Sequence, residues 1–406
     1  MLTRHLAGSE LARHWPVIAV AATCLFFTFG VPSAALPFLY KSVIEEFHWT
    51  REQATMLGSL HWLSGALVSL FAGRLVERVG VLRVILGTAI VSGISMMSFR
   101  LTDSTLDYYL VGVGLGVSGF GMVTSVQVFV SHLFTERQGT AIGLALVGNS
   151  LAGLLLPLFL APALEKYAWD DVMAVLGALT VVVILLVGFA VLRHRAAGAF
   201  TAPSGFSVAE TSSNEFWTNR HFWFVAASLF LVAVVNGGLI QHTVLYLQVD
   251  KAIHHTIVGL AISGYHLASM TSRVIFGRFL DRFSIDGVLM GYVLVGISAA
   301  LAFGVQDATT AIVFALVRGF AHGCLIVSIP VLARHRFGHA GLGKIIGVLI
   351  ALTTIGLAVG NMVLARLYAV TGSYTLGLIA FCAIPLVAVM LLVPVKPRHV
   401  PLPVKD

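Results

Sequence analysis

Gly73-Arg74-Leu75-Val76-Glu77-Arg78 recurs as Gly277-Arg278-Phe279-Leu280-Asp281-Arg282, an offset of 204 residues in a chain of 406. Each hexad closes one long apolar run and opens the next. Gly143 and Gly347 share the offset. A block repeated at half the chain length implies two similar halves, each built on one plan.

Working outward from the hexads, apolar runs separated by charged breaks recur along the whole chain. A bilayer core takes about 20 apolar residues per helix. By that measure the runs give twelve spans, at roughly 15–41, 54–76, 79–100, 107–134, 138–164, 171–193, 221–248, 256–280, 286–304, 309–333, 344–370 and 374–395. The first is too long for a cleaved signal peptide and is interrupted by Pro32 and Pro37. The runs are long and unalternating, which excludes barrel strands.

Composition agrees. Hydrophobic residues make up 58% of the chain and charged ones 11%, against about 25% charged in soluble domains. So few charges cannot cover a soluble core of this size. The expected fold is therefore an all-α membrane protein, with twelve transmembrane helices in two pseudo-symmetric six-helix bundles. The longest polar stretch divides the spans six and six. This gives an N-terminal bundle at 1–195, a cytoplasmic linker at 196–218 and a C-terminal bundle at 219–406.

With both termini placed in the cytoplasm, 17 of the 25 Lys and Arg fall in cytoplasmic segments. Five fall outside, and Arg273, Arg318 and Arg366 fall within spans. That bias supports an even number of spans and inside termini; the setting expected is a bacterial inner membrane. It also accounts for the net charge of +7 without nucleic acid as a partner. Cys24, Cys324 and Cys382 lie far apart in apolar runs, so neither a disulfide framework nor a metal site is expected.

The repeated Gly-x-Leu-x-acid-Arg loop resembles the signature of the major facilitator superfamily, and the resemblance covers nearly the whole chain. The first copy continues to Gly80 and Arg83, and the second through Phe283-Ser284 without the later glycine. The resemblance implies the major facilitator fold and a gating role for Gly73, Glu77, Arg78, Gly277, Asp281 and Arg282. There, glycine would allow close helix approach, and acid–arginine contacts would clip helix ends in one conformation.

Finer features resemble the monocarboxylate transporter and oxalate/formate antiporter branch. They are Glu46-Phe47-His48-Trp49-Thr50-Arg51, Gly139-Thr140-Ala141-Ile142-Gly143, and Thr371-Gly372-Ser373-Tyr374. Arg273, four residues before Gly277, stands where this branch carries an arginine that binds the substrate carboxylate. Animal monocarboxylate transporters pair that arginine with an aspartate where this chain has Ser269, and their span-1 lysine aligns near Ser33. The span-11 lysine of oxalate exchange is missing as well. Neither an aspartate relay nor a two-point dicarboxylate clamp is therefore carried over.

The residues themselves point the same way. Asp and Glu occur in the twelve spans only as the first residue of three of them, Asp107, Asp171 and Asp286, yet Arg273 and Arg318 lie well within spans that have no acid. An arginine near the bilayer centre costs about 2.5–3.5 kcal/mol on insertion scales. With no carboxylate to pair it, an anionic substrate is the simple compensation. The competing reading of Arg273 is a cap on backbone carbonyls near the signature loop. Arg318 and His322 form an i, i+4 pair, read either as a structural hydrogen-bond pair or as part of a proton relay with His61 and His266. For every histidine, satisfied packing is the competing reading. Arg366 is expected to snorkel toward the outer surface.

His242 follows Asn236-Gly237-Gly238, where the glycines either open the helix at a binding site or let helices pack closely. Ser33, Asn149, Gln127 and Tyr265 complete the expected substrate-binding set. The function expected is secondary transport of a small organic anion, a monocarboxylate first, by alternating access with proton symport. The alternatives are organic-anion exchange, and drug or neutral-solute efflux within the same superfamily. No cofactor or enzyme motif is found, so the expected partners are the anion, protons and lipid.

Overall fold

The computed structural model describes residues 10–134, 138–193, 214–337 and 342–395. Every described element is helical. In the first half, α1 (Glu10–Leu25) passes through a π turn, Phe26–Gly30, into α2 (Val31–Phe47). Then come α3 (Arg51–Val79), α4 (Val81–Met97), α5 (Thr105–Leu133), α6 (Gln138–Lys166) and α7 (Trp169–Arg193). The second half comprises α8 (Arg220–Leu245), α9 (His255–Ala300), α10 (Ala308–Phe337), α11 (Leu342–Thr371) and α12 (Thr375–Leu392). Most of the linker expected at 196–218 lies outside the described residues.

Among the described residues, eleven stretches are long and apolar enough to cross a membrane. The twelfth expected span, 256–280, occupies the first arm of α9, where His266 and Arg273 dilute the hydropathy. Helical geometry continues through α9, but the chain turns back on itself within it. A Cβ on Gly287 would lie 2.7 Å from Leu280 Cδ2, and one on Gly291 would lie 3.1 Å from Phe276 Cζ. The sequence pattern placed a break between spans 8 and 9, as it did between spans 2 and 3. In the first half that break is Gly80, at φ +92°, which a residue with a Cβ rarely adopts. The matching position of the second half is Ser284, and there the turn is made within helical backbone.

Local chemistry starts the other helices. Thr50 and Gln53 form a capping box at α3, with Gln53 N to Thr50 Oγ1 at 3.2 Å and Thr50 N to Gln53 Oε1 at 2.9 Å. Ser104 and Asp107 do the same for α5. Such boxes satisfy amide groups that a helix start leaves open. Large apolar side chains cover the outside: Phe159, Leu186, Phe189 and Met390 are each more than half exposed. A water-facing surface does not carry so many, and a bilayer supplies their solvent. The chain is a multi-pass integral membrane protein.

The halves meet where α3 packs on α11, α6 on α9 and α2 on α8. The seam is sealed at the far end, away from Glu10 and Val395. Arg51 Nη1 bonds Asp250 Oδ2 at 2.5 Å, with its guanidinium 4.0 Å from the Tyr368 ring centre. Tyr40 donates to Gln241 at 2.5 Å. Asn361 donates to Thr55 O at 2.6 Å and to Ser59 Oγ at 2.8 Å. Arg366, expected to snorkel, does reach the surface, where it also pairs with Glu52 at 3.5 Å.

The hexads lie at the opposite end. Arg78 and Arg282 are exposed. The side chains of Glu77 and Asp281 and the surroundings of Gly73 lie outside the described residues, so the expected acid–arginine network does too. The close approach expected at Gly277 is not seen: a Cβ there would meet nothing within 4 Å. The halves touch at the far end instead.

Candidate functional site

Just inside the sealed end lies a cavity of about 110 Å³ between the halves. The π turn and the start of α2 supply Phe29, Gly30 and Ser33, and α3 supplies Trp62. Asn149, Ser150 and Gly153 come from one face of α6, at spacings that stack side chains over a turn. From the second half, α8 gives Thr243, α9 gives Tyr265, His266 and Arg273, and α10 gives Arg318 and His322. No Asp or Glu is found among the lining residues.

The two arginines differ in how they are held. Arg318 is 1% exposed. Its Nη1 donates to Asn236 Oδ1 at 2.7 Å and its Nη2 to Asn236 O at 3.0 Å. His322 Nδ1 lies 3.4 Å from the same Asn236 Oδ1. Arg273 reaches across the seam, with Nη1 to Ser150 Oγ at 3.3 Å. Neither arginine has an ion-pair partner among the described residues.

Several buried donors at or beside the cavity lack a hydrogen-bond partner among the described residues: Arg273 Nε, Arg318 Nε, Tyr265 Oη and Trp62 Nε1. An unmet buried donor costs about 1–3 kcal/mol. Several converging on one space create a place where an anion is stabilised and a cation is not. The Tyr265 ring packs edge-on against His266, with centres 5.0 Å apart, and 5.7 Å from His322.

Of the ten residues expected for substrate binding or proton relay, seven line this one cavity: Arg273, Ser33, Asn149, Tyr265, His266, Arg318 and His322. His61 lies one layer behind, with Nε2 3.4 Å from Ser33 Oγ and its ring stacked on Phe29. His242 faces away from the cavity. It is buried at the far-end seal, Nδ1 2.9 Å from Tyr374 Oη and Nε2 3.3 Å from Asn361 O. Gly237, five residues earlier, packs closely rather than opening α8, since a Cβ there would fall 2.0 Å from Leu357 O. Gln127 is half-buried on α5 and does not line the cavity.

Sequence reasoning missed Ser150, Thr243 and Trp62 as lining residues. Ser150 was within reach, because it shares a helix face with Asn149 and Gly153. Trp62 and Thr243 each sit one residue from a histidine that had been singled out.

Comparison with known proteins places these features in context. A family model described as Major Facilitator Superfamily matches residues 18–284 and 243–406. The chain is 25% identical to Monocarboxylate transporter 13 of Rattus norvegicus over 311 residues, 72% of this chain and 68% of that one. It is 25% identical to the Aspyridones efflux protein of Emericella nidulans over 371 residues, 86% of this chain and 70% of the other. Among solved structures it resembles a peptide transporter, POT, with a TM-score of 0.74 at 13% identity, covering 94% of this chain and 93% of that one.

Proposed function

Because this chain belongs to the Major Facilitator Superfamily, and is a secondary transporter by family and fold, we propose that its cargo is a small organic anion, a monocarboxylate first. The observation that carries this reading is the pairing of Arg273 with nothing stronger than Ser150, in a cavity without a carboxylate. Arg318 is already engaged by Asn236 through two nitrogens. It supplies a fixed positive potential, while Arg273 is the guanidinium left to take a carboxylate. Ser33, Asn149 and Tyr265 offer neutral donors around it.

Alternating access follows from the seam. Opening the far end means parting α3 from α11, α6 from α9 and α2 from α8, while the bundles rock about the cavity. Arg273 and Ser150 face each other across that seam, so substrate binding and bundle movement are coupled at one point. Proton symport is favoured over exchange. A carboxylate can travel with its own proton, and His266 and His322 are the titratable groups beside it. The setting proposed is a bacterial inner membrane with both termini cytoplasmic.

The test is uptake into proteoliposomes of lactate, pyruvate, formate, oxalate and aromatic acids, with and without a pH gradient. Arg273→Ala should abolish uptake of whichever acid is carried, while inserted protein is unchanged. Wild-type uptake by that variant would remove Arg273 from the site. The efflux relative favours one second reading, export of a neutral solute. Under it, no acid is taken up and a deletion strain changes in drug resistance instead.

A further inference from the structure

At the far end of the α6–α9 seam, Glu165 stands in the last turn of α6, His254 caps the start of α9 and His255 is its first residue. One ligand-capable atom from each lies within 4.8 Å of the other two. Glu165 Oε1 already contacts His255 Nδ1, and the two imidazole centres are 3.9 Å apart. We propose that these three side chains form a zinc-type divalent cation site, and that the ion ties the two halves together at the closed far end.

The donor set suits that ion. Two imidazole nitrogens and one carboxylate oxygen, with a water in the fourth position, is a known zinc pattern and selects against magnesium and calcium. Bonds of about 2.0–2.2 Å put tetrahedral donors roughly 3.4 Å from one another, so donors already within 4.8 Å of one another need shift by only about an ångström. The rings are oriented from behind. Thr256 N donates to His254 Nδ1 at 3.4 Å, which leaves the other nitrogen of that ring for the ion. Thr256 Oγ1 sits 3.0 Å from His255 Nε2, which turns Nδ1 toward Glu165. Such outer partners fix ligand geometry. Lys41, the nearby cation, pairs with Glu45 at 3.9 Å.

The consequence rests on the alternating-access reading. Glu165 belongs to the first half and both histidines to the second, so opening the far end pulls the ligands apart. An ion that binds only the closed state, at 100 times its Kd, lowers the open population about 100-fold. External zinc is then a brake on the transport cycle.

The test uses purified full-length protein in nanodiscs, with Cys24, Cys324 and Cys382 replaced by alanine. Zinc chloride is titrated by calorimetry, and cobalt by its visible spectrum. One ion should bind per chain, with tetrahedral cobalt bands. Glu165→Gln, His254→Gln and His255→Gln should each weaken binding by more than the roughly 10–100-fold that a lost outer partner costs. No saturable binding, or binding that all three variants retain, overturns the site. In right-side-out vesicles, Ser33→Cys is then labelled from outside with an impermeant maleimide. Saturating zinc should slow labelling about 100-fold, and Glu165→Gln should abolish the effect. Binding without slowed labelling overturns the brake. A cysteine unreachable from outside even without zinc sinks alternating access and the brake with it, while the titrations still decide the site.

Discussion

Removing the Asn236 side chain strands a buried charge, and the cost can be worked from the contacts. Arg318 is 1% exposed and rests two nitrogens on Asn236, one on the side-chain oxygen and one on the backbone oxygen. Asn236→Leu removes the 2.7 Å bond and leaves the other. A hydrogen bond to a charged group contributes about 1.5–3 kcal/mol when it is lost with the charge still buried. For a half of about 200 residues, each kcal/mol moves the melting point by about 2–4 °C. The single variant should therefore melt roughly 3–12 °C lower. Arg318→Met alone leaves the Asn236 side-chain oxygen only the 3.4 Å contact with His322 Nδ1 and should cost about 1–3 kcal/mol. The double variant has neither orphan. Replacing both partners by apolar groups of similar size can be nearly neutral, so it should melt above the sum of the singles. Differential scanning fluorimetry on the four proteins measures this cycle. Additive losses, or an unchanged melting point in Asn236→Leu, would refute the view that Asn236 stands in for a missing carboxylate. Uptake in the double variant is the companion reading. If Arg318 only supplies potential, uptake weakens but survives, whereas Arg273→Ala loses it.

Other outcomes follow from the seam and the packing. Tyr40→Phe removes the 2.5 Å bond to Gln241 across the halves, worth about 1 kcal/mol. Outer labelling of Ser33→Cys should rise about fivefold, and an unchanged rate would place Tyr40 outside the seal. Gly237→Val puts atoms where a Cβ alone would lie 2.0 Å from Leu357 O. Because backbone cannot step aside as a side chain can, a loss of about 1–3 kcal/mol or more is expected, read as lower yield and melting point. Full stability would mean that α8 and α11 have room to part. Thr50→Ala removes half of the capping box on α3 and should cost about 1 kcal/mol. Thr50→Ser should restore the melting point, and failure to do so would show that the methyl, not the hydroxyl, matters.

What the sequence could reveal follows from what each pattern encodes. The helices and the twofold plan were legible because apolar length and a repeated hexad are properties of the chain alone. The cavity arginines were legible because a charge in a span without acids is anomalous in any fold. Rotation was legible only in part. Seven residues separate His266 from Arg273, two full turns, so both face the cavity whatever the neighbours do. His242 and Thr243 are adjacent, about 100° apart on one helix, and both are polar. The pattern cannot say which faces the cavity until α11 brings Asn361, and the turn after it Tyr374, against His242. The zinc-type cluster was beyond reach for a related reason, since Glu165 and His255 lie on different helices and meet only through the packing of α6 on α9. Asn236 was read as a marker beside two glycines. Its part in holding Arg318 depends on α8 and α10 lying side by side, which no spacing within α8 records. The features that decide chemistry here are therefore those that single helices display, an unpaired guanidinium above all. Those that decide gating are contacts between halves, and they exist only in the assembled closed state.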